Sequence, residues 1–539
     1  MRSTRKTPAA WSQGQMEMAL SAMGSEELRA VIVSILLELD DRAADRVAQM
    51  ILHRGGRAGS GGSSAPADDA DVTEAIAFAQ AAQRSGYANP EDVDLRLRRG
   101  IAAFARKDYF AAQRIFGALL GPIAEAEIDL GQDELVDEVL TVNVADCATQ
   151  YVVAEYMLSE PGRRAEKVRA AVGAICGIGT LGDLIQAMER VAIEALPGLS
   201  DFYPAWRAII EKETDTSAQS SWDGEANRGL REVILRMEGV SGLAALARST
   251  RRIRDLDAWC ACLVEARDWK ASLAAFEEAS VLVGEGHRRA PFLDGAALAA
   301  QGMGIPDLSP WLEQAWNAQP TMFRLSRWLG SATSRPLLLE RAARALQACP
   351  DHATRQRAFL HLIQGQIEQT AELLSGAPGL GWSHEDHPGH LIFPLFVTLL
   401  GGTGRSDQAM ALPDDGMKES GFATLRVDGQ TRPVLATPDV AEIVRDAGVE
   451  GLADNWVRQA MLTAMRQAAS KRVSAVTEAT RRNRYGHAAS LVATCVACDP
   501  SAETLQWAAS LRERNRRFSA LSAEFDARMG KRTQHRPRG

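Results

Sequence analysis

The sequence is poor in the patterns that build β-sheet. Aromatic residues make up only 6% of its 539 residues, and alternating runs of β-branched residues are scarce. Alanine, leucine, glutamate and arginine dominate instead, which favours helix throughout. The hydrophobic share of 46% excludes a wholly disordered chain. We therefore predict an all-α protein.

The chain also has few cysteines and no long hydrophobic run. Its seven cysteines form an odd, sparse set, which is typical of reduced thiols in the cytoplasm. The basic start of the chain has no apolar core, so we expect no secretory signal. The longest apolar run, residues 391–400, is too short to cross a bilayer and contains Pro394. These absences predict a bacterial-type cytoplasmic protein that does not contact a membrane.

The net charge of −8 is small for this length and excludes a wholly electrostatic nucleic-acid binder. The charge is nevertheless uneven. From residue 471 to the end, fourteen Lys or Arg against six Asp or Glu give +8. Within this segment, Arg481, Arg484, Arg514 and Arg517 are candidate contacts for phosphates or for an acidic protein face. A solvated helical face is the alternative.

The best-defined pattern is a helical hairpin in residues 100–120. Ala112, Phe116 and Leu119 recur at i, i+4 and i+7, on one stripe of a helix. Gly100 supplies a small residue in the preceding helix, and a tight turn is predicted at residues 107–108. Similar frames return in residues 262–281 and, more faintly, in residues 367–377 and 485–495.

This frame is similar to the tetratricopeptide helical pair, which combines a small residue, an aromatic residue at the turn and a small-large-small stripe. The echoes do not follow a fixed period of about 34 residues, so a regular array is excluded. We predict an irregular α-solenoid of helical hairpins.

Composition divides the chain into six predicted segments. Glycine, serine and acidic residues mark a flexible linker, and Asp428-Gly429 predicts a small β-hairpin in a later irregular stretch. Thr437 with Pro438 then predicts a capped helix start. The segments are an N-terminal helical segment at 1–54, the linker at 55–72, a helical-repeat body at 73–400, the irregular insertion at 401–436, a C-terminal helical domain at 437–529 and a basic tail at 530–539.

His384, His387 and His390 form the sharpest cluster of candidate metal ligands. They recur at every third residue, with acidic residues between them. Imidazole and carboxylate suit zinc, and three histidines with an open position suit a catalytic site. Pro388-Gly389, however, interrupts any helix that would align the three rings. The alternative is a capped, aromatic-anchored loop that leads into a buried helix at residues 391–400.

Two further motifs match known signatures only in their letters. Residues 177–182 fit the dinucleotide pattern G-x-G-x-x-G, but a helix pattern precedes them where a strand is required, which favours a helix C-cap and turn. Cys495 and Cys498 form C-x-x-C without a second pair or a thioredoxin-like context. We expect both sulfurs to pack inside the last hairpin.

Three blocks, at residues 128–140, 381–396 and 483–493, resemble a bacterial group of long helical proteins, some of which carry a zinc-binding SWIM finger. Cys260 and Cys262 match the first half of that finger, but no Cys-x-His follows them. The resemblance therefore implies a helical-repeat protein without the finger and brings no activity with it.

The sequence points first to a non-enzymatic scaffold that binds an unidentified protein partner, with no cofactor and no small-molecule substrate. Solenoid hairpins usually present a binding face, and the aromatic candidates for it are Tyr109, Phe110, Trp259, Trp269 and Trp316. One alternative is a metal-dependent enzyme that uses the histidine cluster with zinc. The other is a nucleic-acid adaptor that works through the basic C-terminus.

Overall fold

The computed structural model describes residues 69–131, 135–178, 183–214, 223–401, 433–449 and 455–529. The predicted N-terminal helices, nearly all of the linker, the β-hairpin at Asp428-Gly429 and the basic tail lie outside these ranges. The same holds for residues 179–182 of the glycine-rich motif. For those segments the sequence-based expectations stay predictions.

The all-α prediction is confirmed. Within the described ranges there is no strand; Tyr87 and Asp129 form a single isolated bridge. The helices are α1 Asp69–Ser85, α2 Pro90–Ala105, α3 Tyr109–Ala124, α4 Val136–Val139, α5 Val144–Leu158, α6 Arg164–Ala174, α7 Leu184–Val191, α8 Leu199–Ile210, α9 Glu225–Thr250, α10 Ile253–Glu265, α11 Trp269–Leu282, α12 Ala290–Gly302, α13 Ser309–Ala318, α14 Met322–Gly330, α15 Arg335–Ala348, α16 Thr354–Ile363, α17 Ile367–Gly376, α18 Gly389–Leu399, α19 Val440–Asp446, α20 Asn455–Glu478, α21 Tyr485–Cys498, α22 Ala502–Arg514 and α23 Ser519–Met529.

The helices form two compact units, Met1–Asp255 and Leu256–Gly539. In the first unit, α3 packs against α1, α2 and α5, while α8 packs against α6 and α9. In the second unit, each helix from α11 to α16 packs against the next helix in the chain. Helix α17 then packs against α20, and α21 packs against α20, α22 and α23.

The hairpin predicted in residues 100–120 is present as α2 and α3. Asp108 caps α3 by accepting a hydrogen bond from the Ala111 amide at 3.1 Å. A Cβ atom at position 100 would lie 2.7 Å from the Phe116 ring. This separation is well inside van der Waals contact, so glycine at position 100 allows the two helices to approach closely.

Three of the four predicted hairpins share one three-residue connection, at residues 106–108, 266–268 and 364–366. The central residues Lys107, Arg267 and Gly365 have positive φ angles of 63°, 55° and 75°. The amide of the following residue donates to the carbonyl five residues earlier, at 3.0, 3.1 and 2.9 Å. This is the Schellman arrangement that ends a helix. The fourth hairpin has the same positive φ at Thr480, followed by a 3₁₀ turn before α21.

A buried carboxylate fixes the loop that follows α4. Asp94, on α2, accepts hydrogen bonds from the amide of Thr141 at 3.0 Å and from the amide of Val142 at 3.2 Å. The carboxylate is thus satisfied although Asp94 is 7% exposed. Such long-range pairing explains why this irregular stretch keeps a defined path.

One hydrophobic core runs through the second unit and includes Trp316, Trp328 and Phe396. Beside it lies a buried ionic group. Arg324 donates to Asp294 through Nε at 2.8 Å and through Nη2 at 2.7 Å, and Arg327 approaches the same carboxylate at 3.4 Å. A buried charge pair of this kind requires close geometry to offset its desolvation.

Two predicted boundaries were wrong. The first helix of the described ranges begins at Asp69, inside the predicted linker. The predicted cap at Thr437 is replaced by Asp439, whose side chain accepts from the Ala441 amide at 2.8 Å. A carboxylate one residue before the helix satisfies its free amides better than a hydroxyl placed further away.

None of the helices in the described part of the chain combines the length and apolarity that a membrane-spanning segment requires.

The close approach of α2 and α3 predicts opposite effects of two glycine substitutions. Gly100→Ala should destabilise the first unit by about 1–3 kcal/mol, because the rigid Phe116 ring must move. Gly121→Ala is the matched control on α3, since its Cβ would lie 3.8 Å from the nearest atom. The control should be neutral or up to ~1 kcal/mol stabilising through helix propensity. Urea unfolding measures both, and equal stabilities would contradict the packing argument.

Candidate functional site

Of the predicted histidine cluster, His384 and His387 lie in the loop between α17 and α18, and His390 lies in the first turn of α18. The buried side chain of Arg355, on α16, holds the histidine part of this loop. Its amide donates to the carbonyl of Asp386 at 2.9 Å. Its guanidinium donates from Nε to the carbonyl of His387 at 2.9 Å and from Nη2 to that of His384 at 2.5 Å. The loop path is therefore set by an arginine that precedes it by about thirty residues.

His387 is a structural residue of this loop. Its Nδ1 accepts a hydrogen bond from the Gly389 amide at 3.0 Å. Its Nε2 must therefore carry the proton and donates to the carbonyl of Pro378 at 2.8 Å. Burial lowers the pKa of this imidazole, which agrees with a neutral ring. Both nitrogens are occupied, so a metal ion would have to displace one of these bonds.

The other two histidines face different surroundings. His384 is exposed, and its Nδ1 accepts from the Asp386 amide at 3.3 Å. His390 stacks on His487 of α21, with ring centroids 5.9 Å apart and planes 12° from parallel. Over the described ranges, no group of three or more His, Cys, Asp or Glu side chains has the geometry to hold a metal ion. The structure does not bring the three histidines together around one point.

What the structure does assemble is a tryptophan–histidine cluster. The ring of Trp382 lies 5.0 Å from that of His487, 5.1 Å from that of His387 and 6.1 Å from that of His390. Phe393 closes the cluster on the α18 side, with its ring 6.1 Å from Trp382. The cluster therefore joins the 377–388 loop, the first turns of α18 and the first turn of α21.

The electrostatic surroundings of this cluster are cationic. The pKa of His487 is lowered to about 3. Burial is the main cause, and repulsion from Arg472, His390, Arg484 and His387 adds to it. The pKa of His390 is lowered to about 4, again mainly by burial. Repulsion from Arg355, His387, Arg472 and Arg484 adds to this shift. Both rings are consequently neutral near pH 7.

Arg472, on α20, is a buried cation that repels both His487 and His390. It is 5% exposed, and its Nη1 donates to the carbonyl of Gly379 at 3.0 Å. Its pKa is lowered to about 10, mainly by burial and additionally by repulsion from Arg484 and Arg481. No acidic residue contributes to this shift. Arg472 is thus a guanidinium in the protein interior with other arginines as its charged neighbours.

The four predicted basic contacts, Arg481, Arg484, Arg514 and Arg517, are all exposed. Arg481 and Arg484 lie in the connection before α21, Arg514 is the last residue of α22, and Arg517 lies in the loop that follows it. The structure joins these segments through Tyr485 and the ring of Phe518, with centroids 6.4 Å apart. The two sequence clusters therefore form one surface, which we call the arginine end and define by these four arginines.

Neutralisation at the arginine end is partial. Arg512 pairs with Asp526, and Arg516 pairs with Glu513 at 3.0 Å. The Arg517 guanidinium lies 4.9 Å from the centre of the Phe518 ring. Within the described ranges no ion pair involves Arg481, Arg484 or Arg514. Positive charge consequently remains available at this surface.

The remaining sequence candidates are structural. Cys495 and Cys498 are buried on α21, as predicted, and burial raises the pKa of both thiols. Cys260 and Cys262 lie within α10. A thiol with a raised pKa is a weak nucleophile and a weak ligand at neutral pH.

Among the aromatic candidates, only Phe110 is largely exposed, at 56%. Tyr109 donates to Glu194 at 3.1 Å. Trp259 and Trp316 are buried. Trp269 packs so closely on Gly302 that a Cβ there would lie 2.5 Å from the indole. These contacts give Tyr109 and Trp269 structural roles at the first residues of α3 and α11.

Sequence analysis did not identify His487, a member of the tryptophan–histidine cluster, or its neighbour Arg472 as functional candidates. His487 follows Arg484 closely, but no local pattern links it to Trp382, about a hundred residues earlier. Only the packing of α18, α20 and α21 brings them together. Searches of family models, curated proteins and solved structures each returned no match to this chain.

The neutral histidines predict acid destabilisation of the second unit. An unfolded histidine titrates near pH 6.5, whereas His487 and His390 in the fold protonate only near pH 3 and 4. The unfolded chain therefore takes up protons first as the pH falls below about 6.5. The contribution of these neutral rings to the free energy of unfolding is fully present above that pH and declines towards pH 4. The decline is up to ~1.4 kcal/mol per pH unit for His487 and smaller for the less buried His390.

Urea unfolding of the wild type and of His487→Phe over a pH series measures this effect. The phenylalanine ring keeps the stacking but cannot take up a proton, so the variant should lose less stability below about pH 6.5. Above pH 7 the two stability curves should run parallel, which serves as the internal control. Parallel curves over the whole series would show that His487 is not buried as a neutral ring.

Proposed function

We propose that this protein is a non-enzymatic helical scaffold that mediates protein–protein interaction. The observation that carries the proposal is the order of packing in the second unit, where each helix from α11 to α16 contacts its successor in the chain. Nearest-neighbour packing of this kind is the hallmark of solenoids, which use their extended surfaces for binding. The partner is an unidentified protein.

The shared connections support a repeated hairpin. Lys107 and Arg267 are not glycines, yet both adopt the positive φ that the connection needs. In both hairpins an aspartate then caps the next helix. Asp108 accepts a hydrogen bond from the Ala111 amide at 3.1 Å, and Asp268 accepts one from the Ala271 amide at 3.0 Å. Identical caps at corresponding positions are expected of a duplicated unit whose sequence has diverged.

The chemistry of the reactive side chains favours a binding role. Both nitrogens of His387 are engaged in the loop. The thiols of Cys147, Cys260 and Cys495 are buried, and burial raises their pKa. Groups held in this way support structure and do not present a nucleophile or a base to a substrate.

An affinity capture followed by hydrogen-exchange mapping tests the scaffold. Capture of the intact chain after nuclease treatment should yield a near-stoichiometric protein partner. The amides protected by that partner should lie on consecutive helices between α11 and α17. The variant Arg484→Glu/Arg517→Glu should retain the partner, because the proposed surface does not include the arginine end. A partner lost with this variant would contradict the scaffold.

The arginine end supports a second candidate, a nucleic-acid adaptor. The specific observation is the Tyr485–Phe518 contact, which unites exposed arginines from two segments beside aromatic rings. Arginines contact phosphates, and the partly exposed ring of Phe518 offers a surface on which a base can stack, whereas Tyr485 is buried.

The adaptor predicts salt-sensitive binding of a mixed-sequence single-stranded DNA of about 20 nucleotides. Arg484→Glu/Arg517→Glu should weaken this binding about tenfold or more and reduce the salt dependence. Arg163→Glu/Lys212→Glu changes the net charge equally at exposed residues of the first unit and serves as the control. Fluorescence anisotropy at several salt concentrations measures both, and equal weakening by the two variants would eliminate the arginine end as the binding surface.

A further inference from the structure

Three polar atoms in or next to the tryptophan–histidine cluster are buried and have no hydrogen-bond partner. They are Nε1 of Trp382, Nε of Arg472 and Nδ1 of His487. Trp382 is 4% exposed and Arg472 is 5% exposed. Leaving a buried donor unsatisfied costs about 1–3 kcal/mol, and more when the group is charged. Three such atoms in one neighbourhood indicate a site that a bound acceptor would complete.

The three side chains belong to one neighbourhood of the fold. The Trp382 ring lies 5.0 Å from the His487 ring. Arg472 reaches the same loop, because its Nη1 donates to Gly379 at 3.0 Å. A Cβ on Gly379 would come within 2.2 Å of the Lys471 carbonyl. This close approach presses the loop against α20 and keeps Arg472 beside the cluster.

The charged groups that shift the pKa values of His487 and Arg472 are all cationic or ionisable to cations. Arg484 and His390 add positive or ionisable groups next to His487 and Arg472. No ion pair involves Arg472 or Arg484 in the part of the chain that the structure describes. A buried guanidinium without an anionic partner is unfavourable in isolation. His390 and His487 are half-buried and Arg484 is exposed, so solvent reaches the cluster from this side.

We propose that Trp382, Arg472 and His487 form a binding site for a small oxyanion of the phosphate type. The indole and guanidinium N–H groups donate to its oxygens, and His487 donates through Nδ1. Arg484 stands at the entrance and attracts the anion, and the neutral His390 ring lines the entrance. A tetrahedral oxyanion offers several acceptors at once and carries the charge that this site lacks. This site is independent of the scaffold surface and adds a ligand to the protein.

Calorimetric titration of the full-length protein with inorganic phosphate tests the site. We expect saturable one-site binding. Trp382→Phe and His487→Phe keep the ring packing and each remove one donor, so each should weaken binding about tenfold. Trp507→Phe is the matched control, because its indole N–H already donates to Ser470 at 3.0 Å. The control should bind phosphate as the wild type does.

Two further measurements separate a built site from general attraction by positive charge. Phosphate should raise the pKa of His487, which a titration of its imidazole ¹⁵N shifts by NMR would report. Dimethyl phosphate, a diester with a single charge, should bind at least about tenfold more weakly than phosphate. Equal binding of the diester, an unshifted His487, or unchanged affinity in Trp382→Phe and His487→Phe would each overturn the proposal.

Discussion

A three-residue connection between two α-helices leaves the chain little freedom in how those helices can pack. The first helix must end in a residue with positive φ, and the next residue must already face the start of the second helix. Lys107 with Asp108 and Arg267 with Asp268 meet both conditions in the same way. Once the connection is fixed, the two helices run antiparallel, and small residues such as Gly100 decide how closely they approach. The hairpins, and through them the core, depend on this local constraint.

The same locality explains what the sequence could predict. Helix periodicity, the hairpin in residues 100–120 and the burial of Cys495 and Cys498 all follow from residues close together in the chain. The histidine spacing singled out His384, His387 and His390, but the structure does not bring the three rings together around one point. The role of each ring, however, is set by distant partners: His387 by Pro378 and Arg355, and His390 by His487. Spacing alone carries no information about such contacts.

Two buried arginines, Arg355 and Arg472, differ in how far the fold satisfies their hydrogen-bond donors. Arg355 donates to two loop carbonyls through its guanidinium, so its burial contributes to the path of the loop. Arg472 makes one such bond through Nη1 and keeps Nε unpartnered. Burial lowers the pKa of both side chains. Arg355 thus has a structural explanation within the fold, whereas Arg472 retains an unmet requirement for an acceptor, and such inconsistencies concentrate at functional sites.

Positive charge accumulates on both the buried and the exposed side of the connection between α20 and α21. On the exposed side, Asp526 and Glu513 neutralise Arg512 and Arg516 and leave Arg481, Arg484 and Arg514 without ion pairs in the described ranges. On the buried side, Arg472 repels Arg481 and Arg484. Self-repulsion of this kind destabilises the folded state, and any anion that binds there relieves it. By linkage, the stability of the second unit must then rise with the concentration of that anion. The fold therefore couples its own stability to occupancy of this region.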